Sequence, residues 1–362
     1  MARKYKQRAD GRYFTQVSTG KYDDDGNLIR VPVYARSSAE LERKVGELRT
    51  DIKRGTYADD RGKTLGQYAE EWFHAYKKGH VARGTEANYR NTLKLHLNLI
   101  KYIRLRDLTK TDIQRQINAT ESPEARRRIK YTLNQVLECA IEDGLLYRNV
   151  SKSIKVSRPP KREKRALTEA EKTAIKKCDF EPMEKLFVDI IFGCGLRRGE
   201  ALGLMVSDID FSRGGIHVRR ALAYSDGHKE LKEPKTATSV RFIPAPEWLL
   251  SELKEYIHGI DNIYLFHGKK GGLLAFCMFC RMWNSIFEKI NTALGGTKDI
   301  KATDLTPHTF RHNYATMLYY AGVDMKEAQK LLGHSSITIT LEIYTHLQDN
   351  QQTIKKINTI AL

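Results

Sequence analysis

The sequence predicts a multidomain, mainly α fold with small β-sheets. Three observations carry that expectation. The chain has 362 residues, enough for two or three domains. β-prone runs are short and fall mostly in the first 35 residues and in one stretch after residue 215, whereas helix-start signals recur from residue 64 onward. A Pro-Pro segment with five basic residues in nine, Ser157–Arg165, interrupts the helical pattern. The boundaries expected are a small β-sheet plus helix over residues 1–60, a helical unit over 64–155, a basic linker over 156–165 and an α+β unit over 166–362.

The elements follow in order. Tyr13–Val17 and Leu28–Tyr34 read as strands around the turn-forming run Asp23–Asn27. Ser37 with Glu40 is a possible capping box opening a helix through about Arg54. Thr64 and Gln67 form a second box, followed by Tyr68, Trp72, Phe73 and Tyr76 at helical spacing. The stripe Tyr68/Trp72/Tyr76 is expected in the core rather than as a base-stacking platform. A second helix after Gly84-Thr85 carries Tyr89, Leu93, Leu97 and Ile100 on one face. Thr109 and Asp112 begin a third, and Pro123 leads into a fourth, Glu124–Asp143, ended by Gly144. Beyond the linker, Thr168 and Glu171 cap a helix, and Met183–Phe192 forms another, broken by Gly193-Cys-Gly195, with a new helix near Arg197. Ile216–Tyr224 and Ser239–Pro244 read as strands, with a turn at Ser225–Gly227. Helices are expected over Trp248–Ile257, Phe276–Leu294, Thr306–Tyr320 and Asp324–Leu332, and again beyond Ile337.

Charge narrows the function. The chain carries a formal +18, of which residues 64–165 hold +11 and residues 166–362 only +2. A basic module joined to a balanced one fits a protein that binds a polyanion, most often nucleic acid, and does chemistry on it. The linker is either a solvated connector or a strap along phosphates. No run of 18 apolar residues exists, so a membrane span is excluded. The first residues, Met1–Lys6, lack an apolar h-region, and five scattered cysteines make no disulfide framework; a reducing cytoplasm fits both.

Four segments of the last unit could do chemistry. In Thr306–His312, Thr306 is a plausible N-cap with Pro307 at the first helical position, and His308, Arg311 and His312 share one face of the first turn. A helix N-terminus with an arginine is a credible phosphate site. In Gly195–Glu200, Arg197 could point inward with Glu200 orienting it, or the pair could be an ordinary surface salt bridge. Lys235 sits in a loop entering a strand, free to reach a reacting oxygen or only solvent. In Leu331–His346, Gly333 ends a helix, His334 follows at once and Tyr344 lies ten residues on.

Together and in this order, Arg197, Lys235, His308 with Arg311, His334 and Tyr344 resemble the signature of the tyrosine recombinase (phage integrase) family. Gly-Leu-Arg-x-Gly-Glu, the Lys before a strand ending in Ile-Pro, the His-x-x-Arg-His box and Leu-Gly-His-Ser-Ser…Tyr-Thr-His all read without gaps. The resemblance implies an arm-type DNA-binding domain over 1–60, as in integrases of temperate phages and conjugative transposons. It implies a helical core-binding domain over 64–155 and a catalytic domain over 166–362. It implies site-specific recombination of a mobile element through a 3′-phosphotyrosine and a Holliday junction. Its partners would be double-stranded DNA with core-type and arm-type sites and a homotetramer on that DNA, with an excisionase and a host DNA-bending protein expected from the family. The tail Thr345–Leu362, with Ile354, Ile357 and Ile360 at near-helical spacing, would dock on a neighbour or pack on its own domain.

The chemistry implied is coherent. A tyrosine with pKa about 10 is a poor nucleophile at neutral pH. Arg197 and Arg311 would hold the two non-bridging phosphate oxygens and favour the phenolate of Tyr344, the nucleophile. His308 would be general acid/base, His334 a phosphate donor and Lys235 the acid for the leaving 5′ oxygen. Glu200 and His312 would be supporting residues. No cofactor or metal is expected, because basic groups already surround the phosphate. Two rivals remain: a non-cutting DNA-binding regulator on the same scaffold, and a metal-dependent hydrolase using His308, His312, His334 and His346 or a Cys277-x-x-Cys280 half-site. Against the second, Phe276–Ile290 reads as a buried helix face. Type IB topoisomerases share the chemistry, but the amino-terminal arrangement and the Leu-Gly-His-Ser box favour a recombinase.

Overall fold

The computed structural model describes residues 5–22, 26–54, 57, 62–157, 165–233, 240–295 and 305–347. The chain divides into two compact units, residues 1–161 and 162–362.

The first unit opens with an antiparallel sheet of three strands, β1 (Lys6–Gln7), β2 (Tyr13–Tyr22) and β3 (Leu28–Ala35). Helix α1 (Ser38–Arg54) closes over it, and Val17, Ala35, Leu41 and Val45 form the shared core. The Ser37 hydroxyl accepts from the Glu40 N–H at 3.1 Å, but the Glu40 carboxylate receives the Arg36 N–H, one residue before the expected partner. Strand β1 has two residues, too few to show a period in sequence. The acidic turn residues 23–25 and most of the linker, 158–164, lie outside the described residues.

Helices α2 (Leu65–Tyr76), α3 (Arg83–Leu95), α4 (Lys110–Asn118) and α5 (Pro123–Glu142) surround a second core built on Trp72, Ile113, Ile129 and Leu133. The Thr64/Gln67 and Thr109/Asp112 boxes are both closed. Tyr68 is buried and donates its hydroxyl to Asp143 at 2.6 Å, tying the start of α2 to the end of α5. Tyr76, expected in the core, is half exposed, because Trp72 and Phe73 fill the inner face one turn earlier. Leu97 and Ile100 are buried as expected, but α3 stops at Leu95, so they enter the core from the following turn. Gln116 holds that turn by accepting the Leu99 N–H at 2.9 Å.

The second unit begins with α6 (Glu169–Lys177), α7 (Pro182–Cys194) and α8 (Arg198–Leu202). Strands β4 (Ile209–Asp210), β5 (Gly215–Val218) and β8 (Arg241–Pro244) form one antiparallel sheet, and β6 (Ala221–Ser225) with β7 (His228–Lys232) forms a separate hairpin. The single strand expected over Ile216–Tyr224 is therefore two. The break falls at Arg219 and Arg220, whose guanidinium groups turn towards the fully buried Asp208 carboxylate at 3.4 and 2.6 Å. Pairing a buried carboxylate outweighs continuing the ladder. Asp226 and Gly227 both have positive φ, which suits a tight hairpin turn.

Helices α9 (Glu247–His258), α10 (Phe276–Ala293), α11 (Pro307–Tyr320), α12 (Met325–Leu332) and α13 (Ile337–Leu347) complete the unit. Phe187 sits at the centre of the core, edge-on to Phe266, Phe279 and Trp283. On α10, Phe279, Ile286 and Ile290 face inward while Phe276 is half exposed and Cys277 exposed, so the expected buried face is narrower than Phe276–Ile290. No group of three metal-ligating side chains occurs among the described residues. No helix among them is long and apolar enough to cross a membrane.

Candidate active site

The site grows from two helix ends that meet. Helix α7 stops because Gly195 takes a left-handed conformation, φ 61°. A Cβ there would lie 2.3 Å from the Tyr314 ring, so only glycine lets α7 and α11 approach this closely. The turn places Arg197 at the N-cap of α8. Glu200, one turn on, accepts the Arg197 N–H at 2.9 Å and its Nη1 at 2.7 Å. Glu200 thus contacts both the backbone and the guanidinium of Arg197.

Arg311 is buried in the first turn of α11, with Nη1 donating to the Gly195 carbonyl at 2.9 Å and Nη2 to the Leu332 carbonyl. Arg197 Nη2 donates to the next carbonyl, Gly333, at 2.7 Å. Both acceptors close α12, whose last residue is followed by left-handed Gly333, φ 61°. Carbonyls at a helix C-terminus carry partial negative charge and draw cations. Two guanidinium groups are therefore fixed on successive carbonyls at the end of one helix. Burial first, and Arg197 beside it, push Arg311 down to about 9, which leaves it charged at neutral pH.

His334 follows directly and is buried. Its Nδ1 pairs with the Thr340 hydroxyl at 2.9 Å, and Gln329 brackets its backbone, accepting the N–H and donating Nε2 to the carbonyl at 3.1 Å. The Thr340 contact fixes the orientation of the ring through Nδ1. Beside it opens a cavity of about 710 Å³ with a mixed lining, in which Lys326, Lys330 and His334 stand among Val240, Phe242 and Ile337.

The His-x-x-Arg-His box divides. Pro307 takes the first helical position, and the Thr306 N–H donates to the Thr309 hydroxyl at 3.1 Å. Arg311 turns inward, while His308 is exposed and His312 half-buried, their rings 6.3 Å apart. The three do not share one face equally. Lys235 lies outside the described residues.

Tyr344 is held differently from the arginines. It is buried on α13, edge-on to Tyr319 with ring centroids 5.1 Å apart, and among the described residues its hydroxyl has no hydrogen-bond partner. Burial first, then the Asp324 carboxylate, raise its pKa. That is the reverse of the phenolate stabilisation expected, and its cause is plain: the ring is buried and the Asp324 carboxylate lies near it.

Sequence reasoning missed Arg241, Gln329 and Thr340. Arg241 had a signal, a charged residue directly before the apolar pair Phe242-Ile243 of a strand. Thr340 and Gln329 had none beyond their nearness to His334.

The model for the phage integrase family matches residues 159–351, and the model for the phage integrase N-terminal SAM-like domain matches residues 64–120. A XerC-like tyrosine recombinase of Caldanaerobacter subterraneus subsp. tengcongensis is 28% identical, with 98% of this chain and 97% of the relative covered. The ICEBs1 integrase of Bacillus subtilis is 25% identical, with 96% of each covered. Among solved structures, the Tn1549 transposon integrase in complex with transposon right end DNA superposes with a TM-score of 0.69 at 24% identity, covering 83% of this chain and 100% of that one. A lambda integrase tetramer bound to a Holliday junction gives 0.60 at 17% identity, covering 93% and 97%. At these identities the structural likeness is one of fold.

Proposed function

The chain belongs to the phage integrase family of tyrosine recombinases, and on that premise we propose that it integrates and excises a mobile DNA element by cutting and rejoining DNA through Tyr344. The observation that carries this reading is the pair of guanidinium groups, Arg197 and Arg311, anchored on the adjacent carbonyls of Gly333 and Leu332 with His334 next in the chain.

In this reading a scissile phosphodiester lies across the two arginines, which neutralise the charge that grows in the transition state. His334 Nε2 donates to a phosphate oxygen. Tyr344 Oη attacks phosphorus, its proton passing to His308. The bond to the 5′ oxygen breaks, and Lys235 supplies that oxygen with a proton. The products are a 3′-phosphotyrosine and a free 5′ hydroxyl; the phosphoester is conserved, so no nucleotide cofactor is consumed. Tyr344 must leave its packed position to attack, so α13 moves before chemistry.

The partners are proposed on the same basis. Core-type sites engage the helical residues 64–155, whose charge is the most positive in the chain. Residues 1–60 take separate arm-type sites, giving two-site avidity. Four protomers would exchange strands one pair at a time through a Holliday junction inside the bacterial cell. An excision factor and a host bending protein are expected from the family alone.

The test uses nicked duplexes drawn from DNA flanking the gene, mixed with wild-type protein and Tyr344→Phe in EDTA. SDS-resistant adduct with wild type alone supports the reading. Binding by both without adduct supports the non-cutting regulator, and activity that vanishes in EDTA supports the metal hydrolase. Deleting residues 1–60 is expected to weaken recombination and spare core-site cleavage; loss of that cleavage contradicts the domain assignment.

A further inference from the structure

We propose that Arg241 is a positioning residue for strand cleavage, holding Glu200 and the end of α12 so that Arg197 and His334 face the phosphate. This rests on the reading of Arg197 and Arg311 as the phosphate-binding pair.

Arg241 begins β8, and its side chain is 5% exposed. Its Nη1 and Nη2 donate to the two oxygens of Glu200 at 3.1 and 2.9 Å, a bidentate pair. Its Nε donates to the Leu331 carbonyl at 2.7 Å. Three consecutive carbonyls at the end of α12 thus take three guanidinium groups in turn: Leu331 from Arg241, Leu332 from Arg311 and Gly333 from Arg197. His334 is the next residue. Gly333 serves this arrangement, since a Cβ there would lie 2.9 Å from Arg241 Nη1.

Glu200 is shared by Arg197 and Arg241. Burial alone would raise its carboxyl, but Arg241 and then Arg197 hold it at about 2. If Arg241 is removed, a buried carboxylate keeps Arg197 as its direct ion-pair partner. Arg197 is then drawn towards Glu200 in competition with the phosphate, and the Leu331 carbonyl loses a donor beside His334. Both changes weaken the transition state more than the encounter with DNA, because most phosphate contacts that set affinity lie elsewhere along a duplex.

The experiment measures single-turnover adduct formation on a nicked duplex, and binding of the same duplex, for the full-length protein. The variants are Arg241→Met, Arg241→Lys, Glu200→Gln and the double Arg241→Met/Glu200→Gln, with Arg197→Ala as control. Arg241→Met should cleave about 10–100-fold more slowly, by analogy with the loss of a residue that orients a metal-binding side chain, with binding changed less than about threefold. Arg241→Lys should recover part of the rate, since an ammonium can neutralise Glu200 but cannot span both its oxygens and the Leu331 carbonyl. The double variant should be no slower than the slower single one, because Arg197 no longer faces an unshared charge. Cleavage by Arg241→Met at the wild-type rate, equal loss of binding and cleavage, or losses that multiply in the double variant would each overturn the proposal. If Arg241→Met does not fold, the same cycle is run with Arg241→Lys, and a wild-type rate there overturns it. If Arg197→Ala itself cleaves normally, the phosphate-pair reading fails first, and that outcome is distinct from the others.

Discussion

Two parts of the second unit differ in how firmly they are held. Around Arg197, Glu200, Arg311 and the end of α12, each charged group has several partners, and helix-end carbonyls supply much of the bonding. On α13, Tyr344 is held by ring packing against Tyr319, and its buried hydroxyl is unpartnered among the described residues. Preorganised donors suit a site that must stabilise charge without rearranging. An unpaired buried hydroxyl costs free energy that its release to a polar partner recovers. On the function proposed, the difference teaches that the half that would bind phosphate is assembled in advance, whereas Tyr344 would have to be delivered.

The largest expected effect breaks the assembled half. Arg311→Ala should slow adduct formation by about 10²–10³, the usual loss for one transition-state donor. It also leaves the Leu332 and Gly195 carbonyls without their donor. Single-turnover cleavage with a parallel thermal melt separates the two consequences; a folded variant that cleaves normally would remove Arg311 from the site.

A smaller effect in the opposite direction sharpens the contrast. Tyr319→Ala removes the ring that holds Tyr344. An edge-on aromatic pair contributes roughly 0.5–1.5 kcal/mol, so adduct formation should speed up by about 2–10-fold if delivery limits the rate. A slower variant that still folds would show that Tyr319 guides Tyr344 rather than detaining it.

The smallest effects come from two carboxylates of the same unit. Glu200, held at about 2 by its arginines, stabilises the fold at neutral pH, and that contribution is lost as pH falls from the ordinary carboxyl range towards 2. Asp189 behaves oppositely. Burial first and Glu252 beside it raise its pKa to about 7, with Lys185 opposing. Its folded form binds the proton more tightly than the unfolded chain, so stability declines as pH rises from about 4 through 7. Asp189→Asn should therefore raise the melting temperature at pH 8 by roughly 2–4 °C and do little at pH 4. A lower melting temperature at pH 8 would mean that the Lys185 pair outweighs the burial.

Legibility in the sequence followed the range of each interaction. The boxes Thr64/Gln67, Thr109/Asp112 and Thr168/Glu171 were readable because both partners lie within four residues, and so was the Arg197–Glu200 pair. Strands β1, β4 and β7 were not, being short or polar, and the split at Arg219 depends on Asp208, eleven residues earlier in the chain. Arg241 joins residues 41 positions back and 90 positions on, a separation that no local pattern encodes. The packed state of Tyr344 depends on Tyr319 and Asp324, and no spacing rule links them to it.

The most direct test of the account is to find the residue that carries DNA. The adduct formed on a nicked duplex by the wild-type protein would be digested with nuclease and protease, and the modified peptide sequenced by mass spectrometry. The account predicts one modified residue, Tyr344, bearing a nucleotide through its 3′ phosphate. Modification of any other of the 18 tyrosines, or of a serine, would contradict it.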